Sequence, residues 1–364
     1  MNALTGFRWG DWLKLLRETK YSVDRQYINR FTQVTMFSWI NSWYYRTEKA
    51  KFQSAIGKTR VEQPVFILGH WRNGTTLVHE LFAQDAQYAY PNLFEVSRPF
   101  TFLVREPQVE QMAGDAEPTS RPMDSMQVTY RSPGEDEGGL AVLCLRSPAI
   151  AWMFPRFEEF YDRFLTFEDA SEADTRLWQN ALDLFMRKLT LRYQRPLVMK
   201  SPTHTARIKL ILELFPDAKF VHIHRNPYLV FQSTMKLYNT AVAGAYLQKP
   251  VDGSVVSGIL RRYKDMYDVY FTQKASIPPG NLVEVSFEDM EVNPLKQMRV
   301  IYEKLSLPGY DQALPGFQRY MDQVSGYKKN THNTIPQPLR VEVASYWQRC
   351  FDEWGYSPNP VDKG

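Results

Sequence analysis

The stretch that decides the fold class is Pro64-Val65-Phe66-Ile67-Leu68-Gly69-His70-Trp71-Arg72-Asn73-Gly74-Thr75-Thr76-Leu77-Val78. Its apolar run, Val65 to Leu68, is too short for a helix and reads as a buried strand. Gly69 and Gly74 bracket a turn, and beyond it Leu77, Val78, Leu81 and Phe82 recur at helical spacing. Strand, glycine loop and helix in that order gather backbone N–H groups and the positive end of a helix at one point, which suits a phosphate. The two glycines have the spacing of a nucleotide P-loop, but Thr75 stands where the Walker lysine belongs. The cation lies inside the loop instead, as Arg72, an arrangement better matched to a nucleotide with one phosphate at its 5′ end.

The same syntax recurs downstream. Residues 196–199 are strand-like, residues 206–215 carry helical spacing, and Pro216-Asp217 separates them from a second strand over 219–224. Asn226-Pro227 opens another helix, residues 282–285 form a last strand, and a helix follows from about 294 to 305. Strands alternating with helices at this spacing predict an α/β fold: a P-loop-like parallel sheet flanked by helices on both faces. Residues 137–193 read as helical insertions and residues 86–135 as loops.

Upstream, residues 8–56 show no strand alternation. Trp12, Leu15 and Leu16, then Phe31, Val34 and Phe37, keep helical spacing with Lys14, Arg17, Arg30 and Arg46 between them. The expected organisation is a helical N-terminal subdomain over residues 1–57, packed on a single α/β domain over 58–364. The stripe of Trp12, Leu15 and Leu16 beside Lys14, Arg17 and Lys20 is compatible with weak association at a membrane surface, although packing on the core is the simpler expectation.

Composition narrows the class further. Of 364 residues, 44% are apolar and 23% charged, with 18 Gly and 23 Pro, which excludes disordered, collagen-like and coiled-coil chains. Cys144, Cys350 and six scattered histidines offer neither a disulfide framework nor zinc-ligand spacing, so no metal is expected. No apolar run approaches a bilayer span and the N-terminus lacks signal-peptide features, so a cytoplasmic location is expected. A net charge of +4 gives no argument for nucleic acid but leaves room for a basic pocket binding one small polyanion. The unusual figure is 14% aromatic, dense within the first fifty positions.

The loop Arg72-Asn73-Gly74-Thr75-Thr76 after a strand resembles the 5′-phosphosulfate loop of sulfotransferases that use 3′-phosphoadenosine 5′-phosphosulfate (PAPS). A separate stretch, His222 to Ser233, resembles that family's 3′-phosphate site: a strand ending in Arg225, then Asn226-Pro227, then Ser233 on the next helix. Val285-Ser286-Phe287-Glu288-Asp289-Met290 with Asn293-Pro294 is similar to a structural segment of these enzymes. Arg121-Pro122-Met123-Asp124, Ser132-Pro133-Gly134-Glu135-Asp136-Glu137 and Lys200-Ser201-Pro202 resemble a bacterial branch, and the match runs across roughly residues 60 to 330. The family's C-terminal Arg-Lys-Gly clamp has no counterpart, and Lys328 and Lys329 are the nearest substitutes.

The resemblance implies transfer of a sulfuryl group from PAPS to an acceptor hydroxyl, with adenosine 3′,5′-bisphosphate as product and no metal. Arg72, Asn73, Gly74, Thr75 and Thr76 are expected at the 5′ phosphosulfate, and Arg225, Ser233, Lys328 and Lys329 at the 3′ phosphate. Arg72 and Lys200 would act on the transferring group, and Glu95 would be the carboxylate general base. A carboxyl between Phe94 and Val96 could have its pKa raised by desolvation, as a base near neutral pH requires. Other candidate bases are Glu135, Asp136 and Glu137, which could equally cap a helix, and His79 and His204, which read more readily as surface or packing residues. Aromatic N-terminal helices and Trp152-Met153-Phe154-Pro155 favour a small hydrophobic acceptor such as a lipid, sterol or phenol. Carbohydrate or protein tyrosine as acceptor, and a P-loop kinase or NTPase, are the alternatives, and the oligomeric state is left open.

Overall fold

A computed structural model of the protein describes residues 4–106, 118–121, 126–326 and 335–358. Lys328 and Lys329 lie outside the described residues. The strands are β1 (Val65–Leu68), β2 (Thr119–Ser120), β3 (Gln127–Val128), β4 (Val198–Lys200), β5 (Lys219–His224) and β6 (Leu282–Ser286). In the first half the helices used below are α1 (Trp9–Glu18), α2 (Ile28–Lys58), α3 (Thr75–Phe82), α4 (Leu93–Ser97), α5 (Glu137–Cys144), α6 (Glu158–Thr166) and α7 (Glu172–Tyr193). They continue with α8 (Ile208–Leu214), α9 (Pro227–Leu237), α10 (Ser254–Gln273), α11 (Phe287–Val292), α12 (Pro294–Lys304), α13 (Tyr310–Val324) and α14 (Gln337–Trp354).

Four strands form one parallel sheet in the order β4-β1-β5-β6, with Ile67 opposite Lys200 and Leu68 opposite His222. β1 is buried at all four positions because both faces of the sheet are covered. Its residues alternate: Val65 and Ile67 join Val198, Val221 and Ile223 under α3, α12 and α13, packed by Val78, Leu81, Ile301 and Phe317. Phe66 and Leu68 face the other way into a core shared with Met199, Phe220, Leu140, Phe185, Tyr263 and Trp347.

That second core also receives the N-terminal helices. Trp12 and Leu15 of α1 and Val34 of α2 belong to the same buried cluster as Phe66, and Trp12 is wholly buried, with its indole N–H donated to Thr35 Oγ1 at 3.0 Å. Each such side chain contributes about 1.5–3 kcal/mol when fully withdrawn from water. The α1 stripe is therefore core, the simpler of the two expectations. Residues 137–193 fold as α5, α6 and α7 with short 3₁₀ turns between them.

Candidate active site

β1 ends at Leu68 in the middle of the sheet, so the loop after it opens above the strand ends. Gly69 adopts φ 136°, where a Cβ would stand 2.5 Å from the carbonyl oxygen of Ile223, so the chain can cross β5 only with glycine here. The Gly69 N–H donates to Thr205 Oγ1 at 2.8 Å and the His70 N–H to the Tyr267 hydroxyl at 3.1 Å. Gly74, at φ 93°, precedes α3, and a Cβ there would sit 2.0 Å from the Phe287 ring. Thr75 and Thr76 occupy the first turn of α3, where N–H groups have no preceding helical carbonyl to bond.

Arg72 adopts a left-handed φ of 73°, unusual for a residue with a side chain. Its Nε donates to Ser233 Oγ at 2.8 Å, although the two residues are 161 positions apart. Arg225, at the C-terminal edge of β5, donates from Nη1 to the Arg72 carbonyl at 3.1 Å and lies 4.3 Å over the Phe287 ring. Asn226 caps α9 by accepting from the Tyr228 N–H at 3.0 Å, which directs Ser233 back toward the loop two turns later. Arg72, Arg225 and Ser233 thus meet. Burial pulls the Arg225 guanidinium below its ordinary pKa, and its Nε has no hydrogen-bond acceptor among the described residues, a state that a bound anion relieves.

Asn73 differs from its expected use. The side chain is wholly buried and donates to Ile223 O at 2.9 Å and to the Tyr267 hydroxyl at 2.7 Å, while its backbone N–H bonds His70 O. It braces the loop against β5 and α10 through Nδ2, while its Oδ1 has no hydrogen-bond partner among the described residues.

Lys200 ends β4 beside Ile67 and is 2% exposed. Its Nζ donates to Glu135 Oε1 at 2.8 Å, and the Glu135 side chain keeps 37% exposure. The next two acids follow the same segment. Asp136 accepts from Ser201 Oγ at 3.0 Å and meets His204 Nε2 at 2.6 Å, and Glu137 takes Arg207 Nη1 and Nη2 at 2.7 and 3.0 Å and Thr203 Oγ1 at 2.8 Å. Burial would raise the Asp136 carboxyl, but His204 and Ser201 hold it below the usual carboxylate range. Residues 135–137 therefore latch onto residues 200–207, a pairing the sequence conceals because some 65 residues separate the partners. Of the three acids, Glu135 alone is exposed by more than a few per cent.

Glu95 sits elsewhere. It is fully buried as part of a capping box at the start of α4, where its Oε2 accepts from the Asn92 N–H at 2.8 Å and its own N–H donates to Asn92 Oδ1. Its second oxygen is 3.4 Å from Arg192 Nε at the end of α7, with Glu106 alongside. Burial and the Glu106 charge raise its pKa, as expected from Phe94 and Val96, but its partners belong to α4 and α7 and none to the loop after β1. The Glu135 side chain is partly exposed, whereas the carboxyl of Glu95 is not. Because the folded state holds a proton here that the unfolded chain releases, stability declines as pH rises from about 4.5 to about 8. Urea midpoints of Glu95→Gln measured across that range are expected to show a flatter decline than the parent protein, and identical slopes would refute the assignment.

The two histidines are interior. His79 is 1% exposed and His204 fully buried. Burial and nearby Lys200 hold His79 well below its ordinary pKa, so packing replaces the surface alternative. Trp71, one residue before Arg72, lies edge-on to Trp152 at 5.9 Å in an apolar cluster with Tyr27, Tyr238 and Tyr246. Met153 and Phe154, by contrast, are buried in the core.

A family model described as the sulfotransferase family matches residues 64–312, and the chain belongs to that family. It is an enzyme of the sulfotransferase class. Among its relatives are the omega-hydroxy-beta-dihydromenaquinone-9 sulfotransferases Stf3 of Mycobacterium bovis and Mycobacterium tuberculosis, each 31% identical over 98% of this chain and 92% of the relative. Two solved structures share the fold. Sulfotransferase STF1 from Mycobacterium tuberculosis H37Rv has a TM-score of 0.69 at 15% identity, covering 93% of this chain and 91% of that one. Sulfotransferase STF9 from Mycobacterium avium has a TM-score of 0.60 at 14% identity, covering 96% of each chain. Family membership leaves the kinase alternative without support.

Proposed function

We propose that this sulfotransferase moves the sulfuryl group of PAPS to the hydroxyl of a hydrophobic lipid, with Glu135 taking the acceptor's proton. The observation that carries this reading is the convergence of Arg72, Arg225 and Ser233 at the ends of β1 and β5, beside the Lys200–Glu135 pair at the end of β4. In the reaction a bond forms between the acceptor oxygen and sulfur, and the bond from sulfur to the bridging oxygen of the nucleotide breaks. Arg72 and the N–H groups of Thr75 and Thr76 would hold the phosphosulfate, and Arg225 with Ser233 the 3′ phosphate. Lys200 would oppose the charge that grows on the bridging oxygen. Glu135, ion-paired to Lys200 and still reached by solvent, would receive the proton from a hydroxyl held in line.

The preference for a lipid rests on the aromatic cluster of Trp71, Trp152, Tyr238 and Tyr246 beside Arg72, and on relatives whose names give an omega-hydroxylated dihydromenaquinone. Transfer of labelled sulfate from PAPS to omega-hydroxylated lipids, in preference to glycans or tyrosine peptides, is expected. Transfer only to glycans or to tyrosine peptides would overturn the acceptor. Arg225→Ala removes a charge-assisted contact and should weaken adenosine 3′,5′-bisphosphate, measured by calorimetry, by about ten- to a hundredfold. Unchanged affinity would remove Arg225 from the 3′-phosphate site.

A further inference from the structure

Helix α2 turns part of its apolar surface outward. Of its 31 residues, those it buries are Val34, Ser38, Asn41 and Glu48, mostly polar. Asn41 Nδ2 donates to the Thr5 and Phe7 carbonyls at 2.8 and 3.1 Å, and Glu48 is ion-paired with the buried Lys188. The inward face is therefore held by hydrogen bonds and one ion pair as well as by Val34, with Phe31 and Tyr45 packed against the core at its edges. Four large apolar residues stand outside: Met36, Trp39, Ile40 and Trp43 are 55%, 68%, 38% and 63% exposed.

Their spacing of i, i+3, i+4 and i+7 makes them one continuous stripe along about two turns. Two exposed tryptophans on one helix face are costly for a surface that meets only water, and large contiguous apolar patches mark contact sites. The charges beside the stripe select the partner. Arg46, Lys49, Lys51 and Lys58 are all exposed on the C-terminal half of α2, whereas Glu48, the sole acid of the helix, is turned inward and neutralised by Lys188. The outward surface of α2 thus carries cations and no carboxylate. Tryptophan at the level of the headgroups, with basic residues along the same helix, is the pattern of an element lying in the interface of an anionic bilayer.

We propose that α2 docks the protein on an anionic membrane surface, inserting Met36, Trp39, Ile40 and Trp43 among the lipids while its lysines and Arg46 meet the headgroups. The placement has a use at the active site. Tyr27, immediately before α2, packs in the aromatic cluster with Trp71, and Arg30 donates to the carbonyl of Tyr246 in that same cluster. A single helix therefore connects the lipid-facing stripe to the residues flanking Arg72. The inference does not depend on the identity of the acceptor, since it rests on α2 alone.

The test uses the full chain and large unilamellar vesicles, made either of phosphatidylcholine alone or of equal parts phosphatidylcholine and phosphatidylglycerol. The parent protein is expected to float with the phosphatidylglycerol vesicles, with a blue shift of tryptophan emission, and to bind phosphatidylcholine vesicles far less. Replacing both Trp39→Ser and Trp43→Ser should reduce partition by about ten- to a hundredfold. Replacing Lys49→Gln and Lys51→Gln should weaken binding to phosphatidylglycerol vesicles and lessen its sensitivity to salt. All variants should retain the parent's affinity for adenosine 3′,5′-bisphosphate, which separates lost docking from lost folding. No flotation of the parent protein, or equal flotation of the double tryptophan variant, would overturn the proposal. So would a dimer that the tryptophan replacements dissociate without any vesicle binding, because the stripe would then be covered by a second copy of the chain.

Discussion

Glu135→Gln should lower the turnover of sulfuryl transfer by about 10²–10⁴-fold while adenosine 3′,5′-bisphosphate still binds with its original affinity. The substitution keeps the side chain's length and leaves an amide oxygen to accept from Lys200 Nζ, which now stands 2.8 Å from the carboxylate. What it removes is the capacity to take a proton. Asp136 and Glu137 cannot substitute, because His204, Ser201, Arg207 and Thr203 occupy their oxygens. If Glu135 is the base, the acidic limb of the pH profile of kcat/KM should also disappear in the variant. Unchanged turnover would exclude Glu135, and lost nucleotide binding would mean that it acts by holding the loop.

The second large effect concerns folding. Arg207 is wholly buried, makes two hydrogen bonds to Glu137, donates further to the carbonyls of Phe164 and Leu165, and lies 4.9 Å over the Trp178 ring. Arg207→Met leaves the Glu137 carboxylate, among the described residues, with the hydroxyls of Ser147 and Thr203 in a dry interior. Removing one partner of such a pair costs about 3–5 kcal/mol. The expected result is a lower urea midpoint with an unchanged slope, which identifies a stability change rather than a different unfolded state. Combining Arg207→Met with Glu137→Leu removes both charges and should recover much of the loss. A single variant within about 0.5 kcal/mol of the parent would mean the pair is not needed.

Much of the fold was legible because its signals are local. The alternation of Val65, Phe66, Ile67 and Leu68 between two cores, and the glycine turn before Thr75, depend on neighbouring residues alone. The meeting of Arg72, Arg225 and Ser233 follows from β1 and β5 being adjacent, which resemblance to a family supplied and propensity could not. The partners of Glu95 were hidden for the opposite reason. Phe94 and Val96 correctly signal a desolvated carboxyl, but desolvation does not say which neighbour the carboxyl faces, and Asn92 with Arg192 captures it. Helix α2 was opaque because helical spacing gives a face without saying whether that face looks inward. Hydrogen bonds from Asn41 and the Glu48–Lys188 pair hold polar residues inward beside Val34, which leaves Met36, Trp39, Ile40 and Trp43 outside.

The latch between residues 135–137 and 200–207 makes two distant segments inherit as one. Chimeras assembled from this enzyme and a divergent relative will tolerate a junction before residue 135 or after residue 207 far better than one between residues 137 and 200. An inner junction matches acids from one parent with cations from the other and disturbs Lys200 along with the buried Glu137–Arg207 pair. For recombination, the unit of exchange is thus the whole block from Glu135 to Arg207, helices α5 to α7 included.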